Sequence, residues 1–118
     1  VEIDPGALSG IVKSAMDFAN RDQRKSVIEL KGDALSMMVQ NDDMDTMWQS
    51  GIKLGGPANQ SIKLALDLVY LDKVLAGNGA GTLLWKYNDN TSASVFMSDG
   101  PDMTLIMPIR LNREDSDE

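Results

Sequence analysis

The residue types that most often do chemistry in proteins are largely missing from this sequence. Among its 118 residues there is no cysteine and no histidine, which excludes disulfides, cysteine and histidine nucleophiles and the usual zinc ligand sets. Aspartate, glutamate, serine and lysine remain, but no segment places a nucleophile beside a base. The sequence therefore predicts a protein that is not an enzyme, with no catalytic residues and no cofactor.

Two short segments have the composition of an ion-binding site. Asp42, Asp43 and Asp45 offer the hard oxygen ligands that calcium prefers, yet their spacing lacks the glycine and the distal glutamate of a calcium loop. A solvated hairpin loop is favoured, and no metal is predicted. Residues 77–81 are rich in glycine, but they follow a predicted helix, whereas phosphate-binding segments precede one. This segment is more typical of a turn that ends a helix.

The charge balance limits how the chain can bind nucleic acid. A net charge of −7 argues against a surface that grips phosphate all over, because such binding needs a local excess of lysine and arginine. The run Glu114 to Glu118 supplies four of the negative charges and is typical of a solvated, mobile tail. A local basic face remains compatible with this balance, although ordinary solvated surface charges are the alternative. The candidate residues are Lys13, Arg21, Arg24, Lys25 and Lys73.

Two helices are predicted from capping signals and apolar spacing. Asp4 and Pro5 form a favourable helix start, and an apolar stripe of helical period follows it. Lys13 projects opposite that stripe, as do Arg21 and Arg24 if the helix extends that far. The stripe comprises Leu8, Ile11, Val12, Ala15, Met16 and Ala19.

A shorter second helix is predicted after Asp67, which can cap it. Leu68, Leu71 and Leu75 would share its apolar face, and Lys73 would lie on the other side. The glycines that begin at Gly77 would end this helix.

The remaining segments predict antiparallel strands, because short β-rich runs alternate with turn residues. Four runs follow the first helix (26–31, 35–40, 46–54 and 60–66) and three follow the second (82–87, 93–98 and 103–109). The order predicts an α+β fold in which two helices pack on antiparallel sheets with an internal pseudo-twofold repeat. Residues 1–111 would form a single domain, and residues 112–118 an acidic mobile tail.

Three further features bear on environment and packing. Apolar runs such as Leu64 to Leu66 are far shorter than the roughly 20 residues of a membrane-spanning helix, and the amino terminus shows no signal-peptide pattern, so a cytoplasmic location is expected. Four of the eight methionines surround one predicted hairpin, where gap-filling core is favoured over an adaptable binding surface. They are Met37, Met38, Met44 and Met47.

Two segments carry a resemblance to a known family. Thr104 to Leu111, which reads Thr-Leu-Ile-Met-Pro-Ile-Arg-Leu, closely resembles the Met-Pro-hydrophobic-Arg-Leu ending of bacterial sliding clamp subunits. Leu64 to Leu75 looks like the segment that leads into the second helix of the same domain. On these residues the chain resembles the carboxy-terminal domain of the bacterial-type DNA polymerase sliding clamp (DNA polymerase III beta subunit).

The resemblance implies a DNA sliding clamp domain that acts as a polymerase processivity factor. Such domains form a ring in which helices line a central hole and duplex DNA passes through, held by topology with weak, non-specific contacts. Lys13, Arg21, Arg24, Lys25 and Lys73 would then face DNA. The alternative is a clamp-like protein-interaction module that binds a partner peptide without encircling DNA.

The resemblance also implies a docking site for DNA polymerase, the clamp loader and repair proteins, which bind clamps through short peptide motifs. Its residues are Met107, Pro108, Ile109, Arg110 and Leu111, here named the terminal pentad. Two departures affect this site. The chain continues beyond the pentad as Asn112 to Glu118, and it corresponds to one of three clamp domains, whereas the family pocket is completed by the preceding domain. Other clamp domains or further copies of this chain are therefore expected partners.

Overall fold

A computed structural model of the chain describes residues 1–19, 25–41, 46–58, 61–76, 83–97 and 103–109. The described residues form eight strands and two helices, which confirms both predicted helices and seven predicted strands. The missed element is a two-residue strand at the amino end. In chain order the elements are β1 (Glu2–Ile3), α1 (Pro5–Phe18), β2 (Lys25–Lys31), β3 (Ala34–Asn41), β4 (Thr46–Lys53), β5 (Ile62–Asp67), α2 (Leu68–Ala76), β6 (Leu83–Lys86), β7 (Ser94–Met97) and β8 (Met103–Ile106).

Helix α1 begins where the capping signal predicts. The Asp4 side chain accepts a hydrogen bond from the Gly6 backbone N–H at 3.0 Å, and Pro5 occupies the first turn, where its missing N–H costs nothing. Leu8, Val12 and Ala15 are buried along one face. The helix ends at Phe18, because the next residue has extended backbone angles.

Helix α2 is capped by Asp67. Its carboxylate oxygen Oδ1 accepts hydrogen bonds from the backbone N–H groups of Val69 at 2.8 Å and Tyr70 at 3.3 Å, which satisfies two donors that the first helical turn leaves unpaired. The three buried leucines are those predicted to share a face. They are Leu68, Leu71 and Leu75.

The strands form two antiparallel four-stranded sheets that exchange one strand each. The first sheet has the order β4-β3-β2-β5 and the second has the order β8-β7-β6-β1. Each half of the chain is a strand, a helix and a three-stranded meander, and its leading strand joins the sheet of the other half. β1 through β4 thus correspond to β5 through β8, with α1 matching α2. This topology confirms the predicted two-helix fold on antiparallel sheets and gives the pseudo-twofold repeat a structural basis.

The described residues of the helices and of both sheets share one buried apolar cluster. In β2 and β3, alternate residues such as Ile28 and Leu35 face this cluster, as the two-residue period of a strand requires. In the second sheet, Trp85 stacks on Phe96 with ring centroids 5.2 Å apart. No helix among the described residues is long and apolar enough to cross a membrane.

The hairpin methionines have three different environments. Met37 is fully buried in the core, Met38 is half-buried, and Met47 is 57% exposed. The predicted core role therefore holds for Met37 and is wrong for Met47, because Met47 faces outward on β4, a strand at the end of its sheet. Met44 lies outside the described residues.

Candidate functional site

The three large apolar side chains with the highest exposed fractions in the described chain lie close together in sequence at its carboxy-terminal end. Met103 is 59% exposed, Leu105 60% and Met107 64%. These three residues are here named the apolar strip. Ile106, between two of them, is only 3% exposed, because successive residues of a strand point to opposite faces. Since large apolar groups concentrated at one place often mark a binding surface, the strip is the leading candidate site.

The strip continues across the outer face of the second sheet, which is the face opposite the core. Val95 lies opposite Leu105 in the antiparallel register, and Met97 lies opposite Met103. Leu84 pairs with Met97 on the next strand. All three of these neighbours are half-buried. The result is an apolar surface that extends over three adjacent strands and ends at β8, the last strand of the sheet.

The terminal pentad leaves the second sheet and reaches the first. The Ile109 backbone N–H donates a hydrogen bond to the Ala65 carbonyl oxygen at 2.8 Å, which forms an isolated antiparallel bridge to β5. Pro108 and Ile109 are half-buried, whereas Met107 remains exposed. The strand thus ends at Ile106, three residues earlier than predicted. Arg110 and Leu111 lie outside the described residues.

A cleft of about 270 Å³ adjoins the strip between α2 and β8. Its lining includes Tyr70, Lys73, Thr104 and Leu105. The Lys73 ammonium lies 5.9 Å from the centre of the Tyr70 ring, within the range of a cation–π contact. The side chain of Tyr70 is also half exposed. Lys73, predicted as a DNA-facing residue, is therefore also a neighbour of the apolar strip.

The helices present the other predicted surface. Lys13 on α1 and Lys73 on α2 are both exposed, each on the helix side away from its buried residues, and the two helices contact one another. Asp17 and Asp72 are their counterparts of opposite charge on the same helices. The described helical turns therefore carry two lysines and two aspartates outside the capping positions, which is a balanced surface.

Of the other predicted DNA-facing residues, the structure describes Lys25. Lys25 is half-buried at the start of β2, opposite Asp67 in the strand register. Because α1 ends at Phe18, the helical projection from Lys13 does not extend to Arg21 and Arg24. Both arginines lie outside the described residues. Among the predicted DNA-facing residues that the structure describes, Lys13 and Lys73 are exposed on two helices in contact.

A second groove, of about 460 Å³, crosses the outer face of the first sheet. Small residues form its floor, including Ser36 and Gly51, with Glu29 and Lys63 at one side. Glu29 and Lys63 are opposite one another in the register. A side chain at Gly51 would bring a Cβ atom to 3.0 Å from the Leu35 carbonyl oxygen, so glycine there lets β4 lie close to the backbone of β3.

Two groups in the described part of the chain have shifted pKa values, and each shift has a local structural cause. Hydrogen bonds from Thr91 and Ser92 lower the pKa of Asp89 to about 2, in an exposed turn remote in sequence from the strip. Burial lowers the pKa of the Val1 amino group, which donates to the Trp85 carbonyl oxygen at 2.6 Å. Neither shift creates a general acid or base beside a nucleophile.

Among the described residues no group of three or more carboxylates could hold a metal ion. The segments considered above for ion binding, Asp42 to Asp45 and residues 77–81, lie outside the described residues. The exposure of Met103 and Leu105 was not predicted from the sequence. The alternation along residues 103–107 indicates which side chains point away from the core, but not that β8 is the last strand of its sheet.

Comparison with solved structures shows which fold positions these residues. A Pseudomonas aeruginosa DnaN sliding clamp bound to griselimycin matches with a TM-score of 0.85 and 18% identity, over 94% of this chain and 30% of that one. The Caulobacter crescentus pol III beta chain matches with a TM-score of 0.85 and 12% identity, over 93% and 30%. A Borrelia burgdorferi DNA polymerase III subunit beta in complex with a natural product matches at 0.82 and 15%, over 94% and 29%.

These matches establish that the chain has the fold of one sliding-clamp domain, as the resemblance implied. The chain spans about 30% of the length of the clamps it matches. No family model matches the sequence, and no curated protein does so either.

Proposed function

We propose that this chain serves as a DNA sliding clamp domain, a polymerase processivity factor that contributes to a ring around duplex DNA and docks partner peptides. The observation that carries the proposal is the clamp-domain fold, with a TM-score of 0.85 over 93% of the chain. In this role the chain is a scaffold and not an enzyme. It would supply one domain, residues 1–111, followed by the acidic tail 112–118.

The two sheets offer a way to build the ring. β4 ends the first sheet and β8 ends the second, and each leaves one row of backbone donors and acceptors without a neighbouring strand in the described chain. The pseudo-twofold repeat makes these two strands equivalent. Pairing β4 of one domain with β8 of the next would continue the sheets around the outside of a ring, and head-to-tail contacts of this kind close when the rotation permits.

The helices would face the DNA. Lys13 and Lys73 supply positive charge on the exposed sides of α1 and α2, and Arg21, Arg24 and Lys25 are proposed to add to it. Because the described helical turns are balanced in charge, their grip on phosphate would be weak and sensitive to salt. A ring that is topologically linked to DNA needs no stronger contact.

Partner peptides would dock on the apolar strip together with the terminal pentad. Extended peptides with apolar anchors bind apolar grooves, and backbone groups set their register. Met107 and Leu105 provide exposed apolar surface. The bridge from Ile109 to β5 fixes the path of the pentad as it passes from the second sheet to the first. A neighbouring clamp domain would complete the other side of the groove.

Topological linkage gives the decisive test. The chain would be incubated with nicked circular plasmid and with the same plasmid made linear, and DNA-bound protein would be measured at low and moderate salt. Retention on the circle, with loss on the linear form, is the expected result, because a ring slides off free ends. Equal binding to both forms would contradict encirclement.

The solution mass measured by light scattering would accompany this experiment. The rings of the sliding clamp family that this chain resembles contain six similar domains, so closure from single-domain chains would require about six copies. Retention should therefore coincide with a species near six times 12.9 kDa. If the chain remains a monomer, the same assay would be repeated with clamp domains supplied in trans. If neither the chain alone nor the chain with added clamp domains is retained on circular DNA, the proposal that it encircles DNA is wrong.

A further inference from the structure

We propose that Met103 and Met107 form a reversible oxidation site that switches the apolar strip off as a docking surface. The inference rests on the proposed function for its consequence, which is partner docking, and on exposure and chemistry for the site itself. In a chain without cysteine, methionine is the side chain that takes up oxygen from peroxides most readily.

Exposure distinguishes the candidate sulfurs. Met103 is 59% exposed and Met107 64%, whereas Met37 is 1% exposed. Met47, at 57%, is equally accessible but lies on β4, in the other sheet. Peroxide should therefore oxidise Met47, Met103 and Met107 at similar rates and spare Met37. Only two of these three belong to the apolar strip.

The position of the two methionines makes their oxidation consequential. They flank Leu105 at two-residue spacing, and consecutive members of the strip lie about 7 Å apart in an extended chain. Val95 and Met97 extend the apolar surface on the neighbouring strand. No charged residue separates the three members of the strip, and its two ends are exposed thioether groups, which an apolar ligand lying along the strip would cover.

The chemical step is balanced with hydrogen peroxide as the oxidant. A lone pair on the thioether sulfur attacks one peroxide oxygen, the O–O bond breaks, and a sulfoxide and one water form. Sulfur loses two electrons and peroxide gains them. The product is a polar group on a side chain that was apolar, and methionine sulfoxide reductases reverse the change.

The sulfoxide opposes docking because a ligand must cover it. A buried polar group without a hydrogen-bond partner is unfavourable, so each sulfoxide on the strip is expected to weaken apolar ligands roughly tenfold. Folding should be nearly unaffected, since both side chains are already mostly in water. Oxidation would thus separate docking from stability.

Site-resolved oxidation is the first measurement. The intact chain would be treated with hydrogen peroxide at low concentration, and the sulfoxide at each methionine would be measured by peptide mass spectrometry over time. Met103 and Met107 are expected to react at least about ten times faster than Met37, by the dependence of oxidation on exposure. Comparable rates at Met37, or slow reaction at the strip, would overturn the assignment.

The consequence is read with two probes. The dye 8-anilinonaphthalene-1-sulfonate binds exposed apolar surface whether or not that surface docks partners. Griselimycin, which is bound in a solved sliding clamp of the same fold, is the probe for the proposed peptide pocket. Oxidation should reduce dye emission and weaken griselimycin binding in the natural chain. In the variant Met103→Leu with Met107→Leu, dye emission and griselimycin affinity should each be the same before and after peroxide, whatever their untreated values. Met47→Leu should lose both signals as the natural chain does.

The two probes distinguish the failure of each proposal. If the untreated chain does not bind griselimycin even with a neighbouring clamp domain supplied in trans, the peptide pocket of the proposed function is wrong, while the dye still tests the oxidation site. If dye emission falls equally in the double leucine variant, or does not fall in the natural chain, the switch is wrong whatever griselimycin does. Treatment with methionine sulfoxide reductases should restore dye emission and griselimycin binding, and failure to restore them would contradict reversibility.

Discussion

Neighbouring residues on β8 should have opposite roles, and replacing each by alanine separates docking from folding. Leu105 is 60% exposed and Ile106 is 3% exposed. Fully burying a leucine side chain is worth about 1.5–3 kcal/mol, so about 40% of that, or roughly 1 kcal/mol, is at stake in folding for Leu105→Ala. Ile106→Ala removes a core side chain and should cost about 2–5 kcal/mol.

Docking should show the reverse order. The exposed part of Leu105 would contribute about 1–2 kcal/mol when a ligand covers it, which corresponds to a roughly 5- to 30-fold loss of affinity in Leu105→Ala. Urea denaturation gives the free energy of unfolding, and titration with griselimycin gives the affinity. Ile106→Ala would be titrated only under conditions where it remains folded, and its affinity should change less than that of Leu105→Ala.

Two results with Leu105→Ala would contradict the docking role of this residue. If Leu105→Ala lowers the free energy of unfolding by more than about 2 kcal/mol, as alanine substitution of a core leucine does, the Leu105 side chain is buried in solution. If Leu105→Ala binds griselimycin as the natural chain does, the strip is not the docking surface. Val95→Ala serves as a matched control, because Val95 lies opposite Leu105 but is half-buried, so its effects on stability and docking should be intermediate.

Three other predictions concern capping, pH and DNA. Asp67→Ala removes the cap of α2 and should lower the free energy of unfolding by about 1 kcal/mol in urea denaturation, whereas Asp67→Asn should retain most of it. The lowered pKa of Asp89, about 2, means that its contribution to stability is present above the ordinary value of 3.8 and is lost as pH falls through about 2. An NMR titration of the Asp89 carboxyl carbon checks this, and a midpoint near 3.8 would contradict the hydrogen-bonded turn. Lys13→Glu and Lys73→Glu should each weaken DNA binding and reduce the slope of log affinity against log salt by about 1, while Lys31→Glu, exposed on the inner strand β2 of the first sheet, should not. An equal effect of all three would point to diffuse attraction in place of a helical DNA face.

Local signals made the helices and most strands predictable. Asp4 and Asp67 cap their helices as their side-chain chemistry requires, and the buried leucines of α2 follow from helical period. Strand β1 was not predictable in this way, because two residues show no periodicity. Its pairing, Glu2 opposite Leu84 and Ile3 opposite Leu83, joins residues about eighty positions apart, and only the tertiary fold selects such contacts.

The candidate site was only partly predictable for a related reason. The resemblance implied Met107, Pro108 and Ile109, but it did not show that Ile109 would hydrogen-bond to Ala65, because that contact depends on how the two sheets meet. The exposure of Leu105 follows from β8 being the last strand of its sheet, where no further strand covers it. Sequence spacing gives the alternation of side chains but not the position of a strand within a sheet.

The strand exchange also bears on how this domain could work in a ring. Because β5 belongs to the second half of the chain but pairs with β2, and β1 belongs to the first half but pairs with β6, neither half can complete its sheet alone. The domain should therefore unfold as one cooperative unit, while its outer strands, β4 and β8, can gain or lose neighbours without disturbing the core. If the chain works in a ring as proposed, the contacts that open and close would lie on the free edges of β4 and β8, while Ile106 and the rest of the central cluster stay covered.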